Sequence, residues 1–270
     1  EFAPGEAGGV GIVDLVLETV PCERPWRGVL DTSSFFVDEN KLGLGSSAAA
    51  LTAWSAAYTR FADLSAEVSL GGLIDLHRRF QGGAGSGIDV AASLFGGLIE
   101  YRLESGVTPS ARKSALPDGI HFKVVFSGSS AGTRRLVKKF DLWRESNPAD
   151  FEVEIASLTR IASQGCAAAQ ANDGAAFLAA VADYGRALQA LGGHMGADLV
   201  TVEHLKILRH SDRCGVVYKI SGAGGGDLGI AFSDDPGALA AFGKAAGEAY
   251  KVMDMAISYD GLVVEEHALD

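Results

Sequence analysis

KLGLGSSAAALTAW, residues 41–54, is the stretch on which the reading of this chain turns. Gly43 and Gly45 stand one residue apart, Ser46 and Ser47 follow, and Ala48 opens an alanine run. Glycine permits backbone angles that a side chain forbids. A helix start leaves its first N–H groups unpaired and carries the positive end of the dipole, so the combination holds phosphate. A serine hydroxyl here is placed to reach a cation bound to that phosphate, and small alanines let a nucleotide sit close. An ordinary serine cap after a glycine turn explains the same residues, and taken alone the stretch leaves both readings open. Downstream, Leu51, Trp54, Tyr58 and Phe61 recur at spacings of three and four, which predicts an amphipathic helix over residues 47–64.

Two more glycine-rich stretches follow. In GAGSGIDVAASLFGG, residues 83–97, Ser86 and Gly87 precede Asp89 at a helix start. Asp89 reads either as a plain cap or as a carboxylate held near a reacting hydroxyl. In SGAGGGDLGIAF, residues 221–232, four of the five positions from Gly222 to Gly226 are glycine. A hairpin needs one or two glycines, and four cost backbone entropy on folding. A loop that brings its backbone against a ligand accounts for them better than a turn.

The whole chain narrows the options. At 270 residues it has room for one large domain or two smaller ones, and 47% hydrophobic residues supply a core. A net charge of −11 argues against sequence-independent nucleic-acid binding, which needs basic patches. A phosphorylated metabolite needs only a few local cations and N–H groups. No apolar run reaches the ~18 residues of a membrane span. The chain opens on Glu1, and no basic segment followed by an apolar one marks it for secretion. Cys22, Cys166 and Cys214 are far apart, without metal spacing, which fits reduced thiols and a cytoplasmic location.

Periodicity divides the rest. Val13, Leu15 and Leu17 alternate, predicting a half-buried strand over residues 11–20. A helix is expected over residues 73–80 and a strand over 98–104. The polar stretch 105–119, with Pro109 and Pro117, reads as a linker or long surface loop. A strand at 121–128 opens a second unit. Phe177, Val181, Tyr184, Leu188 and Leu191 mark a long helix, residues 216–220 and 228–232 are strands, and residues 241–253 a late helix. His194, in GGHMG, is placed in a flexible loop, and His77 on a helix.

GLGSSAA, GSGIDVAASLFGG and SGAGGGDLGIA resemble, in order and spacing, the motifs of the GHMP kinase superfamily, over residues 31–230. Within it, DTSSFF before the first motif, the aspartate that ends SGAGGGD, FSGSSAGTRRLV and LVTVEHLKIL are most similar to the phosphomevalonate kinase family. The resemblance implies an α+β fold of two domains, residues 1–116 and 117–270. The first is a nucleotide-binding domain containing a βαβ crossover, the second a ferredoxin-like domain. It implies ATP and Mg²⁺, a phosphorylated small-molecule substrate (mevalonate 5-phosphate), and a monomer or homodimer. The alternatives are another small-molecule kinase of the superfamily, such as one acting on mevalonate, and a nucleotide- or metabolite-binding protein without turnover.

The resemblance also assigns roles. Gly43, Leu44, Gly45, Ser46, Ser47 and Ala48 would wrap the ATP phosphates, with Ser47 on the metal. Gly224 and Gly225 would join them from the third loop. Ser86, Gly87, Ser221, Gly222 and Ala223 would hold the substrate. Asp89 would act as positioning or metal-linked carboxylate, or as base. A phosphate acceptor needs cations: Lys219 is the first choice as a catalytic group, ahead of Lys41, Arg78 and Arg79. One departure stands out. Superfamily members begin with a motif like A-P-G-K; this chain reads APGEAGG at residues 3–9, with Glu6 in place of the lysine. A second metal carboxylate has only weak candidates in Asp75 and Glu67.

Overall fold

The computed structural model describes residues 11–22, 25–37, 40–62, 67–83, 85–103, 107, 109–128 and 133–267. The APGEAGG departure at residues 3–9 lies outside them. The chain forms two compact units. One takes the described residues of Glu1–Phe36, Leu44–Ser114 and Ile257–Asp270; the other takes Val37–Gly43 and Ala115–Ala256.

The first unit begins with helix α1 (Gly11–Thr19), where alternation predicted a strand. Val13, Leu15 and Leu17 fit a two-residue period, while Ile12, Val13 and Val16 fit a helical one. As a helix they bury Ile12, Val13 and Val16 together against α2 and α3. A short strand pair, β1 (Phe36–Val37) and β2 (Asn40–Lys41), precedes the first glycine stretch; residues Val37–Gly43 belong to the other unit. Helix α2 runs over Ser46–Phe61, α3 over Leu70–Phe80 and α4 over Ile88–Phe95. Leu51, Leu73, Ile74 and Val90 form their shared core. A second cluster stacks Trp54 on Tyr58 at 5.9 Å, with Trp26 against both. These anchors hold α2 in the core, eight residues after its start at Ser46.

Strand β3 (Leu98–Arg102) pairs antiparallel with β4 (Ser110–Ser114), Leu98 opposite Ser114 and Arg102 opposite Ser110. The expected linker over residues 105–119 is therefore partly a strand. Its polar SARKS sequence suits an edge with one exposed face, and cross-strand pairing supplies what propensity lacks. Glu100, buried on β3, takes Arg102 at 2.7 Å and Arg112 from β4. The βαβ crossover implied for this domain is not seen among the described strands. Residues 257–267 return to this unit: the Gly97 N–H donates to the Ser258 carbonyl at 2.6 Å and the Leu262 N–H to that of Leu94 at 3.1 Å.

The second unit is built on four antiparallel strands: β5 (His121–Phe126), β6 (Val217–Ile220), β7 (Leu228–Ser233) and β8 (Lys251–Met253). Their order, β6-β7-β5-β8, is that of the split-βαβ, ferredoxin-like sheet. Four helices separate β5 from β6: α5 (Thr133–Ser146), α6 (Pro148–Gln170), α7 (Gly174–His194) and α8 (Val202–Cys214). Helix α9 (Pro236–Gly247) joins β7 to β8. The expected late helix thus stops at Gly247, and Val252 and Met253 join β8, paired with Val125 and Val124 of β5. His194 is the last residue of α7, its Nδ1 2.8 Å from a Glu154 carboxylate oxygen, and not part of a loop. Val125, Ile207, Ala231 and Phe242 are fully buried at the centre.

Candidate active site

The start of α2 settles one alternative left open by the sequence. The cap is Gly45, in the left-handed region at φ 72°, and no side chain caps the helix. The Ala48 and Ala49 N–H groups both turn back to the Gly45 carbonyl at 3.0 Å. Neither serine acts as a cap, so both hydroxyls are free of that duty. Ser46 is buried and Ser47 half-buried. Ser47 Oγ lies 3.1 Å from Nε2 of the buried His77 on α3, and Gln81 Nε2 is 3.4 Å from the same nitrogen. Burial pushes the His77 imidazole below its ordinary pKa, and the nearby charge of Asp89 pulls it partly back. His77 was placed on a helix by its pattern; its reach to Ser47, 30 positions away, had no local signal.

Asp89 is the second residue of α4, whose cap is Gly87, again left-handed and without a side-chain cap. Asp89 is therefore not the helix cap. It is exposed, and a Cβ on Gly45 would meet its Cβ at 3.2 Å and its Cγ at 3.3 Å. Only a residue without a side chain lets the first loop and this carboxylate lie so close. The second loop is braced from two sides: Arg78 Nε donates to the Gly85 carbonyl at 3.0 Å, and the Tyr101 hydroxyl donates to that of Ser86. Ser86 Oγ accepts from the Ile88 N–H at 3.4 Å. Of the other named cations, Arg79 is paired with Glu18 at 2.6 Å. Asp75 is exposed and 3.9 Å from Arg78.

In the second unit, the loop between β6 and β7 divides into a tip and a base. Gly222 and Ala223 are exposed at the tip; Ser221 is half-buried, its N–H donating to the Leu228 carbonyl at 2.9 Å. Gly224 is buried, and the Gly225 N–H is taken by the Leu199 carbonyl at 2.8 Å. Asp227 holds a left-handed backbone at φ 57°. Its carboxylate lies where a Gly43 side chain would be, 2.8 Å from that position. Lys219 does not reach a carboxylate: its Nζ donates to the Ile220 carbonyl at 2.8 Å and lies over the Tyr184 ring. Burial pushes its ammonium below the ordinary range.

Oxygen donors suit Mg²⁺, a hard cation that keeps several waters and takes one or two protein ligands plus phosphate oxygens. Ser47 Oγ and the exposed Asp89 carboxylate, both beside Gly45, fit such an ion. Among the described residues no three His, Cys, Asp or Glu side chains cluster as an all-protein cage. Nor is any described helix long and apolar enough to cross a membrane.

Residues 37–97 match the family described as GHMP kinases N terminal domain. The chain is 28% identical to a phosphomevalonate kinase of Streptomyces sp. (strain CL190), over 75% of this chain. It spans only 60% of that curated relative's length. Among solved structures it is similar to a Lin0012 protein from Listeria innocua, with a TM-score of 0.78 at 21% identity, covering 95% of this chain and 81% of that one. It is also similar to Streptococcus pneumoniae phosphomevalonate kinase in complex with phosphomevalonate and AMPPNP, with a TM-score of 0.68 at 21% identity, covering 82% and 71%. Residues 37–97 are thus similar to a GHMP kinase N-terminal domain, and the chain shares the fold of these solved structures.

Proposed function

We propose that the chain is an ATP-dependent kinase that phosphorylates mevalonate 5-phosphate to the 5-diphosphate, acting in the cytoplasm as a monomer or homodimer. The observation that carries this reading is the α2 start: a left-handed glycine cap, no side-chain cap, and Ser47 and Asp89 beside it. Sequence similarity to a phosphomevalonate kinase supports the choice of acceptor.

The transfer breaks the bond between the γ-phosphorus and its bridging oxygen and forms one to an acceptor phosphate oxygen. A monoester has its second pKa near ~6, so that oxygen is already ionised at neutral pH. Asp89 has little proton to remove; its work is positioning, beside Gly45. Catalysis of this kind rests on orientation and on stabilising charge. Residues Gly43–Ala48 would wrap the ATP phosphates, Ala48 through its small side chain because its N–H is taken by the Gly45 carbonyl. When bound, Mg²⁺ neutralises charge on those phosphates, with Ser47 and Asp89 as its protein oxygens. Ser86 and Gly87, beside Arg78, hold the acceptor in this unit. In the other, Ser221, Gly222 and Ala223 form the substrate-facing tip, and Gly224 and Gly225 give the loop the shape that brings it to the ATP phosphates. Lys219 serves as a cation behind that loop.

ADP release with ATP and Mg²⁺, offering mevalonate 5-phosphate and mevalonate in parallel, tests the reading. Turnover only with the phosphate is expected. Turnover only with mevalonate would move the assignment to the alcohol kinase, and ATP binding without turnover would make the chain a binding protein. Ser47→Ala is expected to lower kcat about tenfold or more, since a transition-state charge contact is lost. Its stability should fall by at most about 1 kcal/mol, the worth of one hydrogen bond to His77. Parallel losses in kcat and in thermal midpoint would remove Ser47 from the metal role.

A further inference from the structure

The third glycine loop is tied to the body of its unit by a side chain that the proposed reaction does not use. His204, on α8, is fully buried. Its Nε2 lies 3.0 Å from the Gly226 carbonyl and its Nδ1 2.7 Å from the Tyr218 hydroxyl. A carbonyl oxygen only accepts, so Nε2 carries the hydrogen. A neutral ring has one N–H, so Nδ1 accepts and the Tyr218 hydroxyl donates. The contacts thus define one tautomer of an uncharged imidazole.

The Gly226 peptide leads directly into Asp227, whose left-handed backbone is uncommon for a residue with a side chain. Asp227 in turn lies against Gly43, the first glycine of the phosphate-binding stretch. Its own carbonyl accepts from the Ser127 N–H at 2.9 Å. The carbonyl that His204 holds therefore sets the direction of the chain into Asp227.

We propose that His204 is a positioning residue for the SGAGGGD loop, and that it holds the loop only while its ring is neutral. The proposal rests on the reading of that loop as part of a phosphoryl-transfer site. A second proton would go to Nδ1, facing a phenol oxygen that now donates and would have to accept. The Nε2–H would still donate to the Gly226 carbonyl, so what protonation adds is a charge on a ring with no exposed surface and no carboxylate among its bonded partners, and relief of that burial carries the ring and the loop outward together. The charged and titratable groups around the ring are Glu203 on its own helix, Tyr218 on β6 and Asp227 at the loop's end, with Tyr250 acting on Tyr218. Asp212, Lys219 and Arg186 line the same pocket as His204, a space of about 310 Å³ between α7, α8 and β6. Burial pushes the His204 imidazole below its ordinary value, and the Gly226 carbonyl, Glu203 and Asp227 pull it partly back. Stabilisation by the neutral ring is therefore complete above the ordinary histidine value of about 6.5 and is lost as the pH falls below it.

The test compares wild type, His204→Leu, His204→Gln and Tyr218→Phe by amide hydrogen exchange of residues 222–228, corrected for intrinsic rates, between pH 5 and 8. Wild-type exchange is expected to rise about fivefold or more on going from pH 7.5 to 5.5, as a locally open state gains population. His204→Gln keeps a donor to Gly226 but cannot titrate, so it should be protected and nearly flat with pH. His204→Leu should exchange fast throughout, with KM for ATP raised about five- to tenfold and kcat within about twofold. Tyr218→Phe removes the donor that favours the neutral ring, so its transition should move to higher pH. Unchanged exchange in His204→Leu, or a wild-type pH course in His204→Gln, overturns the proposal. Should the leucine variant fail to fold, the glutamine and phenylalanine variants still decide it. Exchange does not depend on turnover, so a chain that transfers no phosphate can still show the latch, and a working kinase can still lack it.

Discussion

Asp89→Asn is expected to lower kcat for phosphoryl transfer by about 10²-fold or more, with the thermal midpoint nearly unchanged. The substitution preserves shape and removes one negative charge. Asp89 is exposed on the first turn of α4 and is not its cap, so folding draws little from it. A carboxylate near a helix start is worth about 1 kcal/mol or less. Catalysis draws far more, because the group lies within 3.3 Å of the space that Gly45 leaves open, at the head of α2, the helix proposed to hold phosphate. An asparagine there is a poor partner for Mg²⁺ and does not neutralise it. The measurement is kcat and KM for ATP at saturating acceptor, alongside a melting curve. A folded variant with near-normal turnover would take Asp89 out of the chemistry. A large rise in KM for ATP with kcat intact would make it a ground-state binding residue instead.

Gly224→Ala is expected to cost about 3 kcal/mol of stability and to abolish measurable nucleotide binding. The residue sits at φ 79°, where a side chain carries strain of about 1–3 kcal/mol. Its Cβ would lie 2.4 Å from the Leu199 carbonyl oxygen and 2.8 Å from Ile220 Cδ1. The carbonyl is backbone and cannot rotate away. Moving it breaks the 2.8 Å bond from the Gly225 N–H, worth about 1 kcal/mol. It also disturbs the chain just before Thr201, whose hydroxyl caps α8. Gly222→Ala is the control. It shares the left-handed backbone at φ 61° but has open space around it, so only the backbone cost of about 1 kcal/mol applies. Urea midpoints and ADP titrations of both variants separate the two roles. Equal losses at 222 and 224 would mean that strain alone decides, and that the contact with Leu199 does not matter.

The glycine stretches were the most legible part of the chain. Gly43, Gly45, Gly87 and Gly224 all take left-handed angles, which is the reason a sequence spends glycine there. Trp54 and Tyr58 were legible as core because their spacing matches a helix face. Residues 11–20 were not, since Val13 and Leu17 fit a strand face while Ile12, Val13 and Val16 fit a helix, and only packing against α2 and α3 chooses between them. Strand β4 carries no apolar pattern at all; it exists because β3 offers it a partner. Residues 251–253 follow a helical stretch and become strand only through pairing with β5. The links from Ser47 to His77 and from His204 to Gly226 join residues 30 and 22 positions apart. Such pairings are written in the fold, and no local spacing announces them.

The return of residues 257–267 to the first unit sets an order of events during synthesis. The helix that carries Asp89 ends at Phe95, and the neighbouring Leu94 and Gly97 make backbone bonds to Leu262 and Ser258. A ribosome releases α4 first, yet those bonds cannot form until more than 150 further residues have followed it out. The continuous run from Ala115 to Ala256 can fold as it emerges, while the unit that carries α2 and α4 waits for residues 257–267, which are made after that run. The unit holding α2 and α4 is thus completed only after the continuous unit has been made.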